Sequence, residues 1–129
     1  MNLVADFICN NFKGGFIIKI YREDNAVYIK LKESISFLSV GDLKTQIYDF
    51  IQDDDDTLII NLSKVDFIDS AGLGLLISLL KYMKGRNGRM VVEYPTLGVQ
   101  KLIEMTRLDE LFEVKKTPEP KTGSWSEFI

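Results

Sequence analysis

The sequence predicts an α/β fold. It reads as a single domain with a mixed, mostly parallel β-sheet, an N-terminal hairpin and helices packed against the sheet. Three observations carry this. Two β-rich runs, residues 16–21 and 26–32, flank the polar stretch Arg22-Glu23-Asp24-Asn25, which is the pattern of a hairpin. Downstream, short apolar runs alternate with stretches of helical periodicity, which implies parallel strands joined by helical crossovers. The 129 residues suit one domain, and the 46% hydrophobic content suits a packed core.

Residues 1–15 are read as an N-terminal extension. Phe7, Ile8 and Phe12 are apolar, but Asn10-Asn11 and Gly14-Gly15 interrupt them. In the second hairpin run, Val27, Ile29 and Leu31 alternate and share one face. Leu43, Ile47, Phe50 and Ile51 then recur at helical spacing, predicting a helix from near Ser39 to the aspartates at 53–56. Those four consecutive aspartates read as a solvated loop, because Ca²⁺-loop ligands alternate with other residues and need a downstream Glu. Residues 58–62 are apolar on both faces, the mark of a central strand covered on both sides. A helix is predicted from about Leu73 to Lys84 and is stopped by Arg86-Asn87-Gly88. Residues 90–94 form the next strand. Pro95 and Thr96 open a helix that buries Val99, Leu102, Ile103 and Thr106, and 111–114 form a closing strand. The domain is thus expected over 16–114, with a tail at 115–129. Trp125, Phe128 and Ile129 in that tail could dock on the domain, form a dimer contact or be loose. Docking or dimerisation is weighed slightly above looseness, since such side chains are costly to leave in water.

Composition excludes several classes of chemistry. The chain has no histidine, so it holds no Ser-His-Asp triad, no Cys-His pair and no imidazole-ligated zinc. Its one cysteine, Cys9, cannot form an internal disulfide. With 16 Lys+Arg against 19 Asp+Glu the net charge is −3, which argues against a nucleic-acid binder. No apolar run approaches the ~18 residues that span a bilayer, and the first residues lack the form of a secretory signal. A cytoplasmic domain without membrane insertion is expected. The sequon Asn61-Leu62-Ser63, inside a strand, is set aside.

The strand-to-helix junction Asp69-Ser70-Ala71-Gly72-Leu73-Gly74 stands apart. A helix N-terminus offers unpaired N–H groups and a partial positive charge, and either Asp69 or Ser70 is a suitable cap. The third glycine of a dinucleotide fingerprint is missing, no Gly-Lys-Ser/Thr follows, and the nucleophile-elbow spacing is absent. Along the following helix Leu73, Leu76, Ile77, Leu80 and Met83 form one face, which Leu75, Leu79 and Tyr82 widen to about 220° of the wheel. Two readings follow. Either the helix packs on neighbouring helices as well as on the sheet, or its outer edge meets a partner protein beside Ser70.

The run 58–62, the segment Val65-Asp66-Phe67-Ile68-Asp69-Ser70-Ala71-Gly72-Leu73-Gly74-Leu75-Leu76, the strand after Gly88 and the helix with Val99, Leu102 and Ile103 together resemble a known pattern. Over about residues 16–114 the chain resembles the anti-sigma factor antagonist branch of the STAS domains. That resemblance implies a regulatory protein without catalytic residues, metal or cofactor. In the family, the unphosphorylated domain binds an anti-sigma factor that is also a serine protein kinase, and so frees the sigma factor. The kinase phosphorylates the serine directly after the motif's aspartate, and a phosphoserine phosphatase reverses this. Carried onto this chain, the resemblance makes Ser70 the phosphorylation site. It also makes Asp69, Ser70, Ala71, Gly72, Leu73, Gly74, Leu75 and Leu79 the partner-binding surface. Ala71 stands where the family commonly has a second serine. A monomer or weak homodimer is expected. The alternative is a non-switched STAS scaffold subunit of a signalling or transport complex, with Ser70 only a helix cap. A module sensing a nucleotide or lipid has little direct support in the sequence.

Overall fold

In the computed structural model, residues 6–12 and 15–116 are described, with side chains from Ile18 onward. Six strands lie in one sheet in sequence order: β1 Asp6–Phe12, β2 Gly15–Glu23, β3 Ala26–Leu31, β4 Thr57–Asn61, β5 Arg89–Glu93 and β6 Glu113–Lys115. The first three pair antiparallel and the last four parallel, so β3 is where the sheet changes sense. Helices α1 Phe37–Phe50, α2 Ser70–Gly85 and α3 Leu97–Met105 fill the parallel crossovers, and a 3-10 turn at Leu108–Glu110 leads into β6. The expected mixed, mostly parallel sheet with a hairpin is what forms.

Its details depart from expectation in physically instructive ways. Residues 6–12, read as part of an extension, form the edge strand β1 against β2. Asn10 and Asn11 do not disqualify it: an edge strand tolerates polar residues, and the register shifts between these two asparagines. Helix α1 starts earlier than Ser39 because Ser36 is its cap. The Ser36 hydroxyl accepts from the Leu38 N–H, and Ser39 Oγ accepts the Ser36 N–H in return. The closing strand starts at Glu113, since Leu108 and Phe112 are drawn into the core by the 3-10 turn.

One core cluster holds the fold together. It joins Ile18, Ile20, Val27, Ile29, Leu58, Ile60 and Val92 of the sheet to Leu43 and Ile47 of α1, Leu76 and Leu79 of α2, and Val99 and Ile103 of α3. All three helices therefore pack on the same sheet face. Strand β4 is central but is not sandwiched between helices: Leu58 and Ile60 are buried while Ile59 is half-buried on the other face. The sequence signal for two covered faces came from one apolar residue, Ile59, on the side the helices leave open.

The aspartate stretch also differs from a plain solvated loop. Asp53, Asp54 and Asp56 are exposed, but Asp55 is 3% exposed and pairs with Arg22. Arg22 donates Nε to Asp55 Oδ1 at 2.9 Å and Nη2 to Oδ2 at 2.7 Å, a bidentate geometry. Its Nη2 also reaches the Phe50 carbonyl at 2.8 Å, and the guanidinium lies 4.6 Å from the Phe50 ring centroid. Asp55 Oδ2 further accepts the Gln52 N–H at 2.7 Å. This pair closes the turn after α1 onto β2. Among the described residues, no helix is long and apolar enough to cross a membrane.

Removing one member of such a buried pair strands the other charge, so Asp55→Asn should lower stability by about 3–5 kcal/mol in urea titrations. Burial raises the Asp55 carboxyl, but Arg22 and the Gln52 N–H outweigh it and hold the pKa below the usual carboxylate value. A depressed carboxyl contributes stability above its unfolded pKa of about 3.9 and loses it as the pH falls through the folded value. The wild-type urea midpoint should therefore drop below about pH 4, with a shallower drop in Asp55→Asn.

Candidate functional site

Parallel strands deliver the next helix at their C-terminal ends, so the N-termini of α1, α2 and α3 gather along one edge of the sheet. Loop-to-loop contacts draw them closer. Ile35 and Ile68 form a parallel bridge beyond β3 and β4, and the Phe67 N–H donates to Ser34 Oγ at 3.2 Å. The segments entering α1 and α2 therefore run side by side. Thr96, the residue before α3, donates its hydroxyl to the Val65 carbonyl at 2.9 Å. That bond ties α3 to the loop ahead of α2.

Asp69 is the joint of this edge. As the N-cap of α2 it accepts the Gly72 N–H on Oδ1 at 2.9 Å. Its other oxygen, Oδ2, accepts the Phe37 N–H, from the first residue of α1, at 3.0 Å. One carboxylate thus serves two helix N-termini. The Gly72 N–H is the largest influence in holding its pKa below the usual value; partial desolvation opposes it, and the Phe37 N–H adds to the lowering. Capping falls to Asp69, and Ser70, the first residue of α2, is exposed.

The residues expected to bind a partner divide sharply by burial. Ser70 and Gly74 are exposed, and Asp69, Ala71 and Leu73 are half-buried. Gly72, Leu75 and Leu79 are buried, with Leu75 3% and Leu79 0% exposed. Leu75 and Leu79 belong to the core, so they are removed from the contact surface. The broad apolar surface of α2 is used inside the fold: it packs on α1 and on β5, and Tyr82 meets Tyr48 of α1 edge-on at 4.8 Å.

Four apolar side chains missed by the sequence reading are exposed along the sheet edge that carries Ser70. Phe37 is 75% exposed, Leu38 86%, Phe67 57% and Leu97 71%. They come from the start of α1, the loop before α2 and the start of α3, three segments far apart in sequence. Helical periodicity does not reveal such residues, because they lie at element ends where no face is defined. The signal available was Phe67 beside Asp66, an aromatic in a polar loop. A rim of exposed apolar groups along the edge that presents a hydroxyl is suited to protein contact. Among the described residues, no cluster of three or more His, Cys, Asp or Glu is placed to hold a metal.

The family model for the STAS domain matches residues 18–120. The chain belongs to the STAS domain family. It is also similar to the anti-sigma-B factor antagonist of Staphylococcus aureus (strain NCTC 8325 / PS 47), with 24% identity over 102 residues, 79% of this chain and 94% of that protein. Two solved structures share the fold. An anti-sigma factor antagonist from Mycobacterium paratuberculosis superposes with a TM-score of 0.69 at 23% identity, covering 78% of this chain and 86% of that one. The Bacillus cell fate determinant SpoIIAA in its phosphorylated form gives 0.64 at 20%, covering 87% and 99%.

The two motif glycines of this STAS domain have opposite structural roles. A Cβ on Gly72 would lie 2.8 Å from Ile68 Cγ2 and 3.0 Å from Ile35 Cβ, whereas one on Gly74 meets nothing within 4 Å. Gly72 lets α2 start hard against the Ile35–Ile68 bridge. Gly72→Ala should therefore cost about 1–3 kcal/mol through overpacking. Gly74→Ala should gain about 0.5–1 kcal/mol from helix propensity. Thermal melts of the two variants, moving in opposite directions, check this.

Proposed function

We propose that this chain is an anti-sigma factor antagonist in a cytoplasmic partner-switching pathway, controlled by phosphorylation of Ser70. In this reading the unphosphorylated domain binds an anti-sigma factor that is also a serine protein kinase, and the sigma factor is released. The observation that carries it is Ser70, exposed at the head of α2 on the same edge as the exposed Phe37, Leu38, Phe67 and Leu97. The names of the S. aureus and M. paratuberculosis relatives, and the phosphorylated form of SpoIIAA, support it.

The physical effect of a phosphate at this point is direct. It carries about −1.5 to −2 charges at neutral pH and would add to a chain of net charge −3. It would stand next to Asp69, whose carboxylate already occupies the Gly72 and Phe37 N–H groups. A partner seated on the apolar rim would have to bury a dianion without a cation to meet it, and such burial is strongly unfavourable. The helix N-terminus partly stabilises the phosphate in the free domain. Free domain and complex are thus affected in opposite directions, which is what a switch requires. The chain acts as a substrate of its kinase and performs no catalysis itself, and a phosphoserine phosphatase resets it.

The scaffold reading gives Ser70 only a capping role, and the cap is Asp69. The two readings separate in one experiment. With ATP and the cognate kinase, mass spectrometry should find the phosphate on Ser70; an active kinase that leaves Ser70 unmodified rules the proposal out. In calorimetry with the anti-sigma factor, Ser70→Glu should weaken binding by at least about tenfold, or ~1.4 kcal/mol. Ser70→Ala should bind like the wild type. Phe67→Ser should cost about 1–2 kcal/mol of binding while leaving the fold intact.

A further inference from the structure

The sheet face opposite the helices carries its own apolar row. The pairing register places Tyr21, Tyr28, Ile59 and Val91 side by side across β2, β3, β4 and β5. Tyr21 and Tyr28 stack with ring centroids 4.9 Å apart at 7°. Tyr21, Tyr28 and Ile59 are half-buried, and Val91 is only 5% exposed although it lies outside the core cluster and every helix packs on the other face. Two residues toward the Ser70 edge, on the same face, the register continues as Lys19, Lys30, Asn61, Glu93 and Lys115. Burial lowers the pKa of Lys30, and the nearby Lys64, Lys19 and Lys32 lower it further, so this end of the row is crowded with positive charge.

The described chain ends beside this face. Lys115 pairs with Glu93, and Lys116 follows at the end of β6. Beyond it lie 13 residues, 117–129, which include Trp125, Phe128 and Ile129 with Glu127 among them. From β6 to β2 is four strand spacings, about 19 Å at ~4.8 Å each. Nine residues from Lys116 to Trp125 reach about 30 Å when extended, so the apolar group can lie anywhere along the row.

We propose that the segment 117–129 packs across the helix-free face, with Trp125, Phe128 and Ile129 on the row of Tyr21, Tyr28, Ile59 and Val91. Length, the point of departure and chemistry all match. Apolar side chains meet an apolar row flanked by polar rims, and Glu127 meets the lysine-rich end. The segment then closes the second face of the sheet, which the three helices leave open. This proposal is independent of the switch at Ser70, and it leaves the Ser70 rim uncovered for a partner.

The chain contains a single tryptophan, so its fluorescence reports Trp125 alone. In the full-length native protein, emission should be blue-shifted from that in denaturant, and iodide quenching should be severalfold weaker. Ile59→Lys and, separately, the milder Tyr28→Ser should shift emission to the red and raise quenching toward the unfolded value, with far-UV circular dichroism unchanged. Phe67→Ser on the Ser70 rim should leave Trp125 unaffected. A wild-type emission already at the exposed position overturns the proposal. So does a blue shift that survives both sheet-face variants, or one that responds to Phe67→Ser. A blue shift lost on dilution points to the segment of a second copy and equally overturns docking within one chain.

Discussion

Asp69 accepts hydrogen bonds from the backbones of two different helices, and the edge of the molecule that carries the candidate site depends on that single carboxylate. Its Oδ1 takes the Gly72 N–H of α2 and its Oδ2 the Phe37 N–H of α1. A helix N-terminus carries unsatisfied donors and a partial positive charge, so two of them brought together need an acceptor between them. An ionised carboxylate is acceptor-only and has lone pairs for both. The two N–H groups in turn favour its charged form, which is why its pKa lies low. Capping and helix–helix registration are therefore one interaction here.

The constraint extends outward from that point. The Ile35–Ile68 bridge continues the β3–β4 pairing past the strand ends, and Gly72 makes room for it by lacking a Cβ. Thr96 adds α3 to the same assembly through Val65. Phe37, Leu38, Phe67 and Leu97 lie exposed where these helix starts are held together. At the opposite end of the parallel strands the Arg22–Asp55 pair closes the turn after α1, which anchors that helix at its other terminus. The rim is mounted on a crossover tied down at both ends.

Legibility in the sequence followed the range of the interactions involved. Elements with internal periodicity were readable: the alternation of Val27, Ile29 and Leu31 and the spacing of Leu43, Ile47 and Phe50 reappear as buried faces. The motif at 69–74 identified the helix start and left its cap open between two residues; the geometry chooses Asp69. What was not readable depends on partners distant in sequence. Asp55 pairs with Arg22, 33 positions away, and nothing within 53–56 separates it from its three neighbours. Leu75 and Leu79 looked like surface on an over-wide helix face because the second packing partner, α1, is invisible to a helical wheel. Edge strand β1 was lost because edge strands need not follow the apolar rules of central ones.

The same division explains why the candidate site is part motif and part surface. Ser70 is specified locally, by an aspartate before it and a glycine two residues after it, and a short motif can be recognised in one chain. The rim is assembled from the starts of α1 and α3 and the loop before α2, and protein contact requires only that those side chains be apolar and exposed. Many residue choices meet that requirement, which leaves no fixed pattern to detect. Under the proposed function, a modifying enzyme would need to read little more than the local motif, whereas a stoichiometric partner would need the whole rim. In the proposed switch, separating the two would let one hydroxyl control a surface to which it contributes little area, because the penalty of burying a charge does not scale with the area that bears it. In the proposed function, a small domain with an ordinary core would in this way carry a switch without moving any of its helices.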